Sequence, residues 1–172
     1  IVYSGAIGSS PGGGGALYKY DHTNEQSKLI TVWPVMHAKK SGEPSKYRFN
    51  WTYPIFISSH DSKTLYVAGN KVFKSINEGQ SWTEISPDLT RNDMTKIGNI
   101  DKTAGVENDD YCTIFSFAES VHEKGVIWTG SDDGLVHITY NEGETWNNIT
   151  PVDFPEWSRV QTIDLSHHDK ST

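Results

Sequence analysis

Short apolar and aromatic runs alternate with polar, turn-forming stretches along this chain, and no stretch of roughly ten residues holds a helical period. Residues 53–57, 113–117 and 160–165 are rich in β-branched and aromatic side chains, which predicts strands. Each run leads into a turn holding a His and an acid. A second run follows the first two of these turns, at 65–68 and 126–129. A third strand is predicted after a Gly or Asn turn (71–75, 135–139), and a fourth short one after an Asn-Glu-Gly turn (82–85, 146–149). The expectation is therefore an all-β chain built from four-stranded antiparallel units.

The units repeat. Residues 75–82 read Ser75-Ile76-Asn77-Glu78-Gly79-Gln80-Ser81-Trp82, and residues 139–146 read Thr139-Tyr140-Asn141-Glu142-Gly143-Glu144-Thr145-Trp146. The flanks agree as well, with an apolar run before each copy and a Ser/Thr-Pro pair after it. Upstream, Ser58-Ser59-His60-Asp61 matches Ser120-Val121-His122-Glu123, and Ser166-His167-His168-Asp169 opens a third copy. A His-acid pair that recurs in every unit reads as a turn each unit needs, whereas a catalytic group is normally present once. A repeated four-strand unit of this length is the arithmetic of a propeller blade. The expected division is the end of one blade at 1–34, blades at 35–90 and 91–152, and the start of another at 153–172. Such a chain is expected to be part of a longer protein.

The two eight-residue motifs resemble the Asp-box, or BNR, repeat, whose pattern is Ser-x-Asp-x-Gly-x-Thr-Trp. The resemblance extends to sortilin-like propellers and to bacterial BNR-repeat proteins of the glycosyl-hydrolase type. Asn77 and Asn141 stand where that pattern has Asp, and either side chain can accept bonds from a turn backbone. The resemblance implies that Ser75, Asn77, Gly79, Ser81 and Trp82, with Thr139, Asn141, Gly143, Thr145 and Trp146, form structural hairpins on an outer rim. It also implies a non-catalytic module binding a protein or peptide, in an extracellular or periplasmic setting, whose nearest partners are the remaining blades. The alternative it carries is a glycoside hydrolase acting on glycans.

Composition narrows the rest. The 172 residues include six Trp, eight Tyr and six Phe, enough apolar area for a packed core. No apolar stretch approaches the roughly 20 residues that cross a bilayer, so no membrane span is expected in this segment. A net charge of −7 argues against a nucleic-acid partner, which calls for a clustered Lys/Arg surface. The single Cys112 excludes an internal disulfide and a cysteine-based zinc site.

Candidate chemistry concentrates in two polar insertions, 35–50 and 88–110, and around the Asp132-Asp133-Gly134 turn. Trp51 and Tyr111 offer rings for stacking, Arg91 a fork for a carboxylate, and Asp93 a free acid. The bland reading of Asp132 and Asp133 is a hairpin turn. The sharper one is a carboxylate pair for a sugar hydroxyl or Ca²⁺, although two acids supply only part of a Ca²⁺ shell. Tyr47, Arg48, Met36 and His37 share the first insertion, and Glu107, Asp109 and Asp110 the second. Gly12 to Gly15 lack the Lys-Ser/Thr ending of a phosphate loop and read as a connector. A glycosidase needs two carboxylates flanking the bond or a Tyr nucleophile, with Arg clusters in the sialidases. Arg48, Arg91 and Arg159 match no such cluster, and nothing in the sequence pairs the acids. No cofactor is called for. Asn50-Trp51-Thr52 and Asn148-Ile149-Thr150 match the N-glycosylation pattern, relevant to a secreted eukaryotic product.

Overall fold

The computed structural model describes residues 1–5, 16–33, 46–97 and 111–170. It is all-β, and the described residues contain no helix. Eleven strands form three antiparallel sheets. The first holds β1 (Val2–Gly5), β2 (Leu17–Asp21) and β3 (Gln26–Leu29) in that order. The second holds β4 (Ile55–Ile57), β5 (Leu65–Ala68), β6 (Val72–Ser75) and β7 (Thr83–Glu84). The third holds β8 (Ile114–Glu119), β9 (Ile127–Ser131), β10 (Val136–Thr139) and β11 (Asn147–Asn148). Each sheet is a simple meander, so its neighbours in sequence are its neighbours in space. The run 160–165 is the one exception to the strand expectations. No strand forms over it, although its first residue lies against β8 and β9. Its anchor is Val160, whose N–H donates to Ser131 O at 3.0 Å.

The second sheet is buried on both faces, which explains the unbroken apolar run of β5. Side chains alternate across a strand. Leu65 and Val67 join Leu17, Ile30, Phe49 and Phe73 in a core against the first sheet. Tyr66 and Ala68 join Val72, Leu89, Ile114 and Ile127 in a second core against the third sheet. Aromatic rings stitch that second core, with Tyr66 and Phe117 centroids 5.3 Å apart and Phe56 and Phe117 5.4 Å apart.

The hairpins between third and fourth strands are tied by side chains. Ser75 Oγ accepts the Gly79 N–H at 2.8 Å, and Asn77 Oδ1 accepts the Ser81 N–H at 2.9 Å. Thr139 and Asn141 do the same for Gly143 and Thr145, at 3.0 and 2.9 Å. Gly79 and Gly143 adopt φ of 82° and 95°, a region only glycine enters cheaply. Each hairpin then reaches the sheet before it. Trp82 Nε1 donates to Ile30 O at 3.1 Å, and Trp146 Nε1 to Ile85 O at 2.9 Å. Lys19 pairs with Glu78, and Lys74 with Glu142 at 2.7 Å. At the same end of each sheet His60 Nε2 meets Ser120 O at 2.7 Å, and His122 Nε2 meets Ser166 O at 3.2 Å.

Candidate functional site

The most chemically loaded group of described residues lies where the chain leaves the second sheet, enters the third, and leaves the third again. The turn joining β9 to β10 (Asp132, Asp133, Gly134) sits at its centre. Arg91 lies across this turn, its N–H donating to Asp133 Oδ2 at 2.8 Å and its Nε to Asp133 O at 2.9 Å. The guanidinium is thereby set over the Trp157 ring, 5.0 Å from its centroid. Lys96 Nζ stands 4.3 Å from the same ring, and Tyr111 stacks on it at 6.3 Å. Among the described residues the acids near these cations at the surface are Glu156, 3.8 Å from Arg91 Nη1 and 74% exposed, and Asp93, whose carboxylate feels the Lys96 charge.

Backbone strain concentrates here. Outside the hairpin tips, the described non-glycine residues with left-handed φ are Asn92 (49°), Cys112 (57°) and Trp157 (60°). Each neighbours or belongs to this group. A bulky residue in that region costs on the order of 1–3 kcal/mol and persists where its surroundings impose it. The Trp157–Ser158 backbone passes close to Gly134, where a side chain would meet Ser158 O at 3.1 Å and the Trp157 nitrogen at 3.3 Å.

The two turn carboxylates are interior groups. Asp133 is fully buried, and its Oδ1 accepts the Ser131 hydroxyl at 2.5 Å. Asp132 is 4% exposed and accepts the Thr113 N–H at 2.9 Å and the Thr113 hydroxyl at 2.8 Å. Burial pushes the Asp132 carboxyl up to about 6, against the pull of its two Thr113 bonds. Burial likewise pushes the Cys112 thiol up to about 12, so it is no nucleophile at neutral pH. In the corresponding turn of the second sheet an amide does the work of Asp132: Asn70 Oδ1 accepts the Arg48 N–H at 2.9 Å.

That comparison yields a pH prediction. Folded Asp132 holds its proton to about pH 6, whereas its ordinary value is 3.8. Between the two the folded chain binds more protons than the unfolded one, so stability falls as pH rises, by on the order of 3 kcal/mol. Asp132→Asn keeps an oxygen for the Thr113 N–H and is expected to flatten this fall. Urea unfolding at about pH 4 and about pH 7 measures it, and an unchanged slope would assign the fall to another group.

Of the sequence-derived candidates, Arg91, Tyr111, Asp132 and Asp133 come together here. Asp93 is adjacent. Its Oδ1 accepts the Thr95 N–H at 2.8 Å and the Thr95 hydroxyl at 2.7 Å, and its carbonyl accepts the Lys96 N–H at 2.9 Å. It thus builds the turn that carries Lys96, and the Thr95 hydroxyl and amide hold its carboxyl below the usual range. Trp51 is 66% exposed on a separate turn, and among the described residues no ring contact, hydrogen bond or ion pair joins it to this group. Tyr47 and Arg48, placed in a recognition loop by the sequence, are buried instead, at 7% and 4% exposure. Met36, His37, Glu107, Asp109, Asp110 and Gly12 to Gly15 lie outside the described residues. Trp157, Lys96 and Glu156 are what the sequence reading missed. The signal available was a Trp in a Pro-flanked turn, outside either hairpin motif.

Among the described residues no group of three or more His, Cys, Asp or Glu is arranged to hold a metal ion. The arrangement offers two cations on an aromatic ring, fixed by a buried turn, and no acid–base pair aimed at a common point. No family model matches the chain, and no curated protein is found to match it.

Proposed function

We propose that the three sheets are successive blades of an Asp-box β-propeller and that the protein is a non-catalytic binding module, part of a longer exported protein. The observation that carries the blade reading is the recurrence of one set of contacts between successive sheets. The hairpin Trp donates to an Ile carbonyl of the preceding sheet, a Lys of that sheet pairs with the hairpin Glu, and a His of each unit meets a Ser carbonyl of the next. Units related by one repeated rotation generate the same contacts at every step, and radial repetition is what a propeller is. The non-catalytic reading draws on Asp132 and Asp133, whose carboxylates are buried and engaged inside the turn. The ligand is a protein or peptide, met by side chains on the linkers between blades while the hairpins hold the scaffold.

The test is turnover. The protein incubated with a panel of soluble oligosaccharides is expected to release no new reducing ends. Release that disappears in Asp93→Asn or Glu156→Gln would overturn the reading in favour of a glycoside hydrolase.

A further inference from the structure

We propose that Arg91 and Lys96, mounted on Trp157, bind the side-chain carboxylates of an acidic peptide. This rests on the binding-module reading but not on the number of blades. Arg91 spends its N–H and Nε on Asp133, which fixes the plane of the guanidinium, and among the described residues its Nη2 makes no hydrogen bond. Its ion-pair partner among the described residues, Glu156, stands 3.8 Å from Nη1 and largely in water, a pairing of little worth and easily exchanged. Lys96 is exposed and carries no ion pair among the described residues. Arg159, over the Phe115 ring at 4.4 Å, adds a third exposed cation near Asp132. The two aspartates beneath are buried, so their oxygens face inward to Thr113, Ser131 and the Arg91 amide. A chain of net charge −7 therefore presents, among the described residues, a local cluster of cations whose nearby surface acids are Glu156, largely in water, and Asp93, whose Oδ1 is taken by Thr95.

The ring geometry selects the kind of ligand. Sugar recognition uses an open aromatic face, and Trp157 has Arg91, Lys96 and Tyr111 on its ring. The accessible chemistry is two cationic donors held on one ring, a part-exposed guanidinium and an exposed ammonium. Beside them is Met94, 49% exposed on the Lys96 turn, a soft apolar contact suited to a peptide side chain. Guanidinium and ammonium groups held against a ring are already partly ordered, so less rotamer freedom is lost when a carboxylate arrives. The left-handed backbone at Asn92 and Trp157 holds the platform in place before the ligand binds.

The experiment uses the full chain and a fluorescein-labelled peptide of mostly Glu with interspersed Leu, followed by anisotropy. Saturable binding that weakens with added salt is expected. Lys96→Met, which removes one exposed charge and no internal bond, is expected to weaken it about tenfold, and Arg91→Lys with Lys96→Met further. Lys63→Gln, a distant exposed lysine, is expected to leave affinity unchanged, and near-UV circular dichroism checks that each variant is folded. Three outcomes overturn the proposal: no saturable binding by the native chain, Lys96→Met binding as tightly as native, or oligogalacturonate competing more strongly than unlabelled peptide. Inorganic phosphate, run as a third competitor, is expected to be weak, and displacement by it as strong as by the peptide would also overturn the assignment. Glycan turnover in the reducing-end assay would instead fail the module reading itself, so the two failures are read on different instruments.

Discussion

Arg48→Met is expected to lower the unfolding free energy by about 3–5 kcal/mol, the cost of removing one partner from a buried charge network. The Arg48 side chain is almost fully buried and ties three segments together. Its Nη2 donates to Asp88 Oδ2 at 2.9 Å and to Thr90 Oγ1 at 3.2 Å, and its Nε and Nη2 reach Cys112 O at 3.3 and 3.2 Å. Asn70 Nδ2 shares the same Asp88 oxygen at 2.8 Å. Methionine fills much of the volume but leaves Asp88 without its cationic partner and the Cys112 carbonyl without the guanidinium donors. Cys112 supplies a built-in reporter, since its thiol is buried and reacts only when the segment opens. Denaturant unfolding should give the stability loss, and labelling of the thiol under native conditions should quicken in step with it. A variant as stable as the parent, with an equally protected thiol, would remove Arg48 from any structural role.

Gly143→Ala is expected to cost about 2–4 kcal/mol, and more than Gly79→Ala. Both glycines sit at hairpin tips with positive φ, so the backbone strain is comparable. The difference lies in what the new methyl meets. At Gly143 it would overlap the carbonyl oxygen of Ile85, which is main chain and already accepts the Trp146 indole. At Gly79 it would strike the Cδ1 of Ile30, the far end of a side chain that can turn aside. Paired thermal and denaturant unfolding of the two variants decides the order. The reverse order would mean that the Ile30 rotamer is locked and the Ile85 main chain is the more yielding partner.

The strands were legible because burial on one or both faces leaves a period-two or unbroken apolar pattern, as in Leu65 to Ala68 and Val136 to Thr139. Residues 160–165 carry the same composition but form no strand, since a strand is a property of two segments and composition speaks for one. The hairpin motifs were legible in detail, because Ser/Thr, Asn and Gly each perform a distinct backbone task at a fixed spacing. The site was legible only in part. Arg91, Tyr111, Asp132 and Asp133 stood out as chemistry, yet their exposure depends on the segments that cross the β9–β10 turn, a long-range fact. Trp157 and Lys96 belong to the site through a left-handed turn and a capped turn, neither of which announces a function in sequence. Tyr47 and Arg48 mislead in the opposite sense. A polar stretch can still bury an arginine when Asp88, Thr90 and a carbonyl are waiting for it.

The indole rung between hairpin and preceding sheet has a bearing on how such chains drift in length. Trp82 and Trp146 hold their sheets in register by reaching from the hairpins to Ile30 and Ile85, the first residues of the stretches 30–54 and 85–113 that connect one sheet to the next. Relative placement of the sheets is thus set at the start of each connector and by the connector residues packed in the cores, Tyr47, Phe49, Tyr53 and Leu89, and not by connector length. Lengthening a connector then costs chain-closure entropy alone, about 0.6 kcal/mol for each doubling, while the rung stays in place. Insertions and deletions are cheap between those packed residues, and recognition surfaces can be rewritten there without renegotiating the packing of the sheets.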